Sequence, residues 1–253
     1  MSSSNPPGTT TTGPASGEID LSAMMAAHDA FRRDLVLLAR TTTPANLADP
    51  DQRAAVLAGW RVFKHQLFLH HRGEDTFLWP PIREKLAGNV GGLAVLDAMT
   101  AEHEELDRIV SDVDGALGPP DGALGPPEGA LAQADDATAE AGAATAEAGA
   151  VAGRLSEVID NLITRLTLHL AHEERDALPL IREVLTGADW AAIVAALRAS
   201  GNIDDAAEMV PWLMLDLPPH RAAEVMAFYP PFVAQKYADE WKPRFDAVPK
   251  WTA

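Results

Sequence analysis

One segment of this chain occurs twice, and the two copies start 99 residues apart. Residues 70–86 and 169–185 align without a gap, and the alignment pairs His70 with His169 and Glu74 with Glu173. Both copies also have a Pro six positions after the Glu, followed by the same Ile-Arg-Glu triplet. Apolar residues precede each copy at spacings of three and four, so the repeat predicts two helices with the same buried face.

Within each copy, the His and the Glu lie four residues apart. Residues at this spacing lie one turn apart on the same helix face, so the imidazole and the carboxylate can reach a common point. A single pair of this kind is more often a helix-surface pair. Its duplication on a stripe otherwise filled with Leu and Phe favours two helices that hold a pair of metal ions in a bundle core.

Two more helices are predicted, and each carries one His on its apolar face. The first begins near residue 18, ends before Pro44 and includes His28. The other begins near Leu93 and includes His103. A lone His on an apolar face is more often a core residue than a ligand, but the repeat supplies further ligands that would point at both residues.

The composition along the chain predicts three regions and one insertion. Residues 1–17 are mainly Ser, Thr, Pro and Gly and are expected to be a disordered tail. Residues 18–187 contain the four helices, with a low-complexity insertion at 114–150 whose Ala/Glu-rich end could extend the fourth helix backwards. Residues 188–253 are predicted to form a C-terminal helical extension that packs on the bundle as a lid or serves as a dimer surface.

Net charge and residue usage narrow the possible partners. The formal net charge of -17 argues against a nucleic acid or an anionic membrane surface as a partner, because both attract clustered Lys and Arg. The chain has no Cys, so any metal must be held by His and carboxylate side chains. We expect a cytoplasmic location, because no apolar run approaches the length of a membrane span and the first residues do not form a secretion signal.

The order of these residues, H, HxxxE, H and HxxxE on four helices, resembles the hemerythrin-like (HHE cation-binding) domain family. The resemblance covers roughly residues 20–186, less the insertion. A ferritin-like site would show Glu-x-x-His instead, which is absent from the sequence. The resemblance implies an all-α, four-helix up-down bundle with a non-haem di-iron centre, and manganese is a possible substitute for iron. The metal ligands that it implies are His28, His70, Glu74, His103, His169 and Glu173.

The sequence departs from the oxygen-carrying hemerythrins at two positions. Those proteins have HxxxH on the third helix and HxxxxD on the fourth, whereas this chain has Asp107 and Glu174 at these places. Asp107 could be an extra ligand, a partner of a ligand or a polar surface residue. Glu174 competes with Glu173 as a ligand, and the repeat favours Glu173. Fewer imidazoles and more carboxylates would stabilise the ferric state and favour oxidation over oxygen carriage.

Other polar residues near the ligands are interpreted as supporting or surface groups. His71 and His172 lie off the ligand stripe, and Glu102 is expected on a solvated charged face. The sequence identifies no catalytic residue.

Two functions are considered for such a centre. The first is binding of O2 or a related small ligand, such as peroxide or nitric oxide. The alternative is an oxidase or oxygenase that activates O2 or peroxide to oxidise a small organic substrate. A pocket of several hundred cubic ångströms that opens to the metals would favour the enzyme. A metal-free interaction protein is the least favoured class, and a homodimer is possible.

Overall fold

The structure is a computed structural model that describes residues 19–118 and 137–252. Within these ranges the regular secondary structure is helical and contains no strand, which confirms the all-α prediction. No helix in the described ranges is both long and apolar enough to cross a membrane. The segments are α1 Ser22–Thr41, α2 Pro44–Ala48, α3 Pro50–Gly73, π1 Glu74–Leu78, α4 Trp79–Lys85, α5 Val90–Leu117, α6 Ala137–His172, π2 Glu173–Ala177, α7 Leu178–Val184, α8 Gly187–Ser200, α9 Ile203–Met214, α10 Pro219–Ala227, α11 Pro231–Lys236, π3 Tyr237–Trp241 and α12 Lys242–Asp246.

Local sequence signals explain where the main helices begin. Asp49 precedes Pro50 at the start of α3, and its carboxylate accepts hydrogen bonds from the backbone N–H groups of residues 51 and 52. Asn89 caps α5 in the same way. Gly88, at a φ of 88°, makes the turn between α4 and α5 in a conformation that favours glycine.

Helices enter the predicted insertion at 114–150 from both sides. Helix α5 continues through Leu117, and Asp114 is tied to α3 by hydrogen bonds from Trp60 and Lys64. Helix α6 begins at Ala137, as the high helix propensity of Ala allows. Residues 119–136 of the insertion and the predicted disordered tail at 1–17 lie outside the described residues.

The apolar core is divided into two clusters, with the predicted ligands between them. Along α1 the chain passes from the second cluster, which includes Leu21, to the first, which includes Phe31, and His28 lies between. Along α3 the order is reversed, from Leu67 in the first cluster to Leu78 in the second. The order alternates again in α5 and α6. Successive long helices therefore run in opposite directions, and the ligands lie at mid-height of the bundle.

The segments after α7 contact both ends of this arrangement. Trp212 of α9 packs on Phe31 at a ring-centroid distance of 4.9 Å, and its indole N–H donates to the buried Asp34. On the other side, Leu197 of α8 lies against Gly73, where a Cβ would come within 3.1 Å of its side chain. Gly73 thus gives α8 close access to the turn that holds the first ligand pair.

The fit of Trp251 against α3 gives a test of this packing. A Cβ at Gly59 would lie 2.3 Å from two atoms of the Trp251 indole, so Gly59→Ala must displace a ring that is only 9% exposed. We expect a loss of roughly 1–3 kcal/mol in the free energy of unfolding, measured by urea denaturation.

The matched control is Gly115→Ala in α5, where no atom lies within 4 Å of the new methyl group. This change should be neutral or stabilise the protein by up to about 1 kcal/mol, because Ala is the better helix former. Equal stabilities for the two variants would contradict the described position of Trp251.

Candidate metal centre

Each copy of the repeat widens into a π-helical turn that begins at its Glu. The backbone N–H of Trp79 bonds to the carbonyl of Glu74, five residues back, and the N–H of Leu178 bonds in the same way to Glu173. Pro80 and Pro179 follow directly, and a proline cannot donate the hydrogen bond of an α-helix and would clash with the carbonyl four residues back. Each proline is therefore accommodated by a π turn, a feature often found at functional sites.

The first group of possible ligands combines two imidazoles with two carboxylates. It consists of His28, His70, Glu74 and Glu173, whose donor atoms all lie within 4.8 Å of one another. Nε2 of His28 is 3.2 Å from Oε2 of Glu173, and Nε2 of His70 is 3.1 Å from Oε1 of Glu74. Helices α1 and α3 and both π turns contribute to this group.

The second group consists of three imidazoles: His71, His103 and His169. The ring of His71 stacks on that of His103 at a centroid distance of 4.0 Å and an interplanar angle of 10°. The ring of His169 meets both edge-on, at 5.2 Å from His71 and 4.9 Å from His103.

Glu74 lies between the two groups. Its Oε1 is 3.1 Å from Nε2 of His70, and its Oε2 is 3.4 Å from Nε2 of His103. One carboxylate thus offers an oxygen to each group, which is the arrangement that a bridging ligand needs.

The donor atoms of both groups are buried without hydrogen-bond partners. This applies to Nε2 of the four predicted His ligands, both ring nitrogens of His71 and all four carboxylate oxygens of Glu74 and Glu173. Burying such atoms unpaired is costly, and a bound cation would satisfy them. The residues present therefore fit a metal centre held by nitrogen and oxygen donors.

Three carboxylates outside the groups orient three of the imidazoles. Nδ1 of His28 donates to Glu174 at 2.8 Å, Nδ1 of His103 to Asp75 at 3.0 Å and Nδ1 of His169 to Glu102 at 2.8 Å. A proton held on Nδ1 leaves the Nε2 lone pair directed into the centre, as in His ligands of known metal sites. Glu102 also accepts a hydrogen bond from His172 at 2.7 Å.

The buried carboxylates and imidazoles of the centre shift the pKa values of one another. Burial would lower the pKa of His28, but the neighbouring carboxylates of Glu173 and Glu174 outweigh it and raise the pKa to about 9. For His103, burial is outweighed by Asp75 and Glu74, which raise its pKa to about 10. Burial, with the nearby charge of Glu173, raises the pKa of Glu74 to about 7. Without metal, protons supply the positive charge that the buried carboxylates require.

The structure brings all six ligands implied by the sequence into the two groups, and their ligation stays a prediction. Asp107 is exposed and lies in neither group, so of its three possible roles the surface position fits. Glu174 contacts Nδ1 of His28 and the guanidinium of Arg32, on the outer side of the imidazole. It therefore supports a ligand instead of replacing Glu173.

Two residues interpreted from the sequence as supporting or surface groups lie closer to the centre than expected. His71 is not on the surface but is buried at 4% exposure among the other imidazoles. Its position continues the four-residue spacing of Phe63 and Leu67, which is the signal that could have located it. Glu102 was placed on a solvated face, but it is half-buried and holds His169 and His172.

The family comparison agrees with this geometry. The sequence model of the hemerythrin HHE cation-binding domain matches residues 20–180, which is more than half of the 253-residue chain. The chain belongs to the hemerythrin HHE family. This hemerythrin HHE protein has no significant match among curated proteins or solved structures. The family resemblance predicted from the H, HxxxE, H, HxxxE order is confirmed.

The role of Glu102 in this hemerythrin HHE protein can be tested by substitution. Glu102→Ala should leave the fold intact but release the ring of His169, and we expect metal affinity to fall about 10- to 100-fold. Affinity would be measured by competition with a chelator of known strength.

Glu105→Ala is the matched control, because Glu105 lies one turn away on α5 and pairs with Arg165 at the surface. Its affinity for metal should equal that of the wild type. If Glu102→Ala also binds metal as tightly as the wild type, then Glu102 does not orient a ligand.

Proposed function

We propose that this protein holds two iron ions in its bundle core and binds O2 or a related small ligand, such as peroxide or nitric oxide, at them. The observation that carries the proposal is the position of Glu74, one oxygen of which faces each group of unpartnered donor atoms. A single carboxylate between two sets of buried imidazoles is explained more simply by two ions than by hydrogen bonding.

The donor types support iron, with manganese as the possible substitute. Imidazole nitrogen and carboxylate oxygen suit iron and manganese, and the chain contains no Cys that would favour a softer metal. When bound, ferrous iron supplies the electrons that O2 accepts.

The surrounding residues provide the conditions for such chemistry. Phe31 and Leu170 on one side of the centre, and Leu78 and Met99 on the other, are nearly fully buried and exclude water. The carboxylates of Glu174, Asp75 and Glu102 keep a proton on Nδ1 of their imidazoles and fix the ring orientations.

The surface beside the centre supports the small-ligand function over the enzyme. A groove of about 280 Å³ lies between α5 and α6, and its lining includes Glu102, Arg165, His169 and Arg175. Glu102 and Nδ1 of His169 form the inner wall of this groove, whereas Nε2 of His169 points away from it. An organic molecule in the groove would contact His169 on the side of its ring that faces away from the centre. A diatomic molecule needs far less space than this groove provides.

The second candidate is a di-iron oxidase or oxygenase acting on a small organic substrate. Its support is the size of the same groove, which is lined by Glu102 and His169 and lies beside the centre. Movement of Glu102 would then open the way for a substrate.

One experiment separates the two candidates. The purified protein is loaded with ferrous iron without oxygen, exposed to air and followed by absorption spectroscopy, with O2 consumption measured in parallel. We expect an absorption band that appears in air and disappears when oxygen is removed. Oxygen that is consumed and not returned would instead support the enzyme, and the absence of iron binding would contradict both candidates.

The ligand assignment has its own test. His70→Ala and Glu74→Ala should each lose metal, because each removes one of the few donors that face the centre. A ligand at 100 times its Kd stabilises a folded protein by about 2.7 kcal/mol, so chelation should lower the Tm of the wild type and leave that of the variants unchanged.

His65→Ala is the control for these variants. His65 lies five residues before His70 on α3, but it pairs with Glu208 of α9. Its metal content and its response to the chelator should match the wild type. If His70→Ala and Glu74→Ala also behave like the wild type, then the ligands have been assigned to the wrong residues.

A further inference from the structure

His71 is a buried imidazole that neither the repeat nor the H, HxxxE, H, HxxxE order assigns to the metal centre. The second copy of the repeat has Leu170 at the corresponding position. His71 is 4% exposed, and both of its ring nitrogens lack a hydrogen-bond partner.

A structural role does not explain these features. A His that serves only to fill a core is expected to donate or accept at least one hydrogen bond, because burying both ring nitrogens unpaired is unfavourable. Leu170 fills the corresponding core position in the repeat without polar atoms. The imidazole of His71 needs a partner that its protein neighbours do not supply.

The neighbours of His71 indicate what the partner is. The rings of His103 and His169 lie at 4.0 and 5.2 Å from its ring, and one nitrogen from each of the three residues falls within 4.8 Å of the others. Ring nitrogens that converge in this way without hydrogen-bond partners form a donor set that suits a metal ion.

We propose that His71 is a metal ligand and that it completes a three-imidazole position with His103 and His169. His28, His70 and Glu173 hold the other ion, and Glu74 lies between the two. This inference rests on the metal-binding function proposed above and adds a residue to it.

The added ligand changes the balance of donors. With His71 the proposed centre has five imidazoles and two carboxylates, which would offset the imidazole that is absent at Asp107 on the third helix. Helix α3 supplies from His71 the imidazole that α5 lacks at Asp107. The two positions are also unequal, with two carboxylates at the first and one shared carboxylate at the second.

Unequal donors have a consequence for the ions. Anionic carboxylates stabilise the more highly charged ion, whereas neutral imidazoles do so less. We therefore expect the ion at the three-imidazole position to be the more easily kept ferrous and the two positions to fill with different affinities.

The test is His71→Leu, which places in the first copy the residue that the second copy has. Ferrous iron and Zn²⁺ would each be titrated into the full-length protein, and bound metal counted by elemental analysis. We expect two ions per chain for the wild type. For the variant we expect one tightly bound ion and a second whose affinity is lowered by more than about 100-fold.

A second readout separates ligation from a structural role. Removal of an unpartnered buried imidazole should leave the Tm of the metal-free protein unchanged or higher, while a structural His would lower it on removal. His71→Gln keeps a polar side chain of similar length and should show the same loss of the second ion if His71→Leu does not fold. His65→Leu is the control, because His65 lies on the same helix but pairs with Glu208 of α9, and this variant should bind two ions as the wild type does.

The outcomes distinguish this inference from the proposed function. Two ions bound with wild-type affinities by His71→Leu or His71→Gln would overturn the inference and leave the proposed function intact. A wild-type protein that binds no metal would overturn both.

Discussion

The whole bundle is built around a layer of polar atoms that have no partners within the protein. Glu74 and Glu173 are at most 3% exposed, and their four oxygens face imidazoles instead of water or backbone donors. Apolar residues could fill this layer at lower cost, since isolated carboxylates in a core are strongly unfavourable. This layer lies between two apolar clusters. A helix that shifted along its axis would therefore move its polar residues into one of the apolar clusters. An arrangement of this kind is stable when a cation takes the place of the missing partners, which is the role proposed here for metal.

The orientation of three of the imidazoles depends on carboxylates that lie nearer to the protein surface. Glu174, Asp75 and Glu102 are all more exposed than the imidazoles they contact, so they remain charged at lower cost while they fix the ring orientations. For Glu174 and Glu102, hydrogen bonds from these imidazoles contribute to a pKa below the usual value. The negative charge of the chain is therefore not only a surface property. Part of it is arranged around the centre, where it holds each imidazole in the tautomer that leaves Nε2 free.

The sequence was sufficient for the helical class, the family and the six residues that meet in the core. Those inferences rest on periodicity and on a repeat. Both are properties of single helices, so they can be recognised without knowing how the helices pack. His71 and Glu102 could not be placed with the same certainty, because their roles depend on which neighbouring helix faces them. His71 lies one position from His70, and both reach the centre only because the two groups of donors flank α3. Asp107 illustrates the reverse case, since it stands where the oxygen-carrying hemerythrins have a His, yet it lies on the outer surface of α5.

The π turns at Glu74 and Glu173 fix the rotational phase of the helices that follow them. Such a turn holds one residue more than an α-helical turn, so the part of the helix beyond it is rotated by about 100° relative to an uninterrupted helix. Ile82 and Ile181 lie beyond the two turns and are fully buried. These apolar residues therefore occupy the sequence positions that face the core only when the extra residue is present in the turn. Loss of one residue from either turn would restore a regular helix and carry every later side chain to a different face. The spacing between ligand and proline is thus also a constraint on chain length, because an insertion or deletion there would misplace the buried face of the helix that follows.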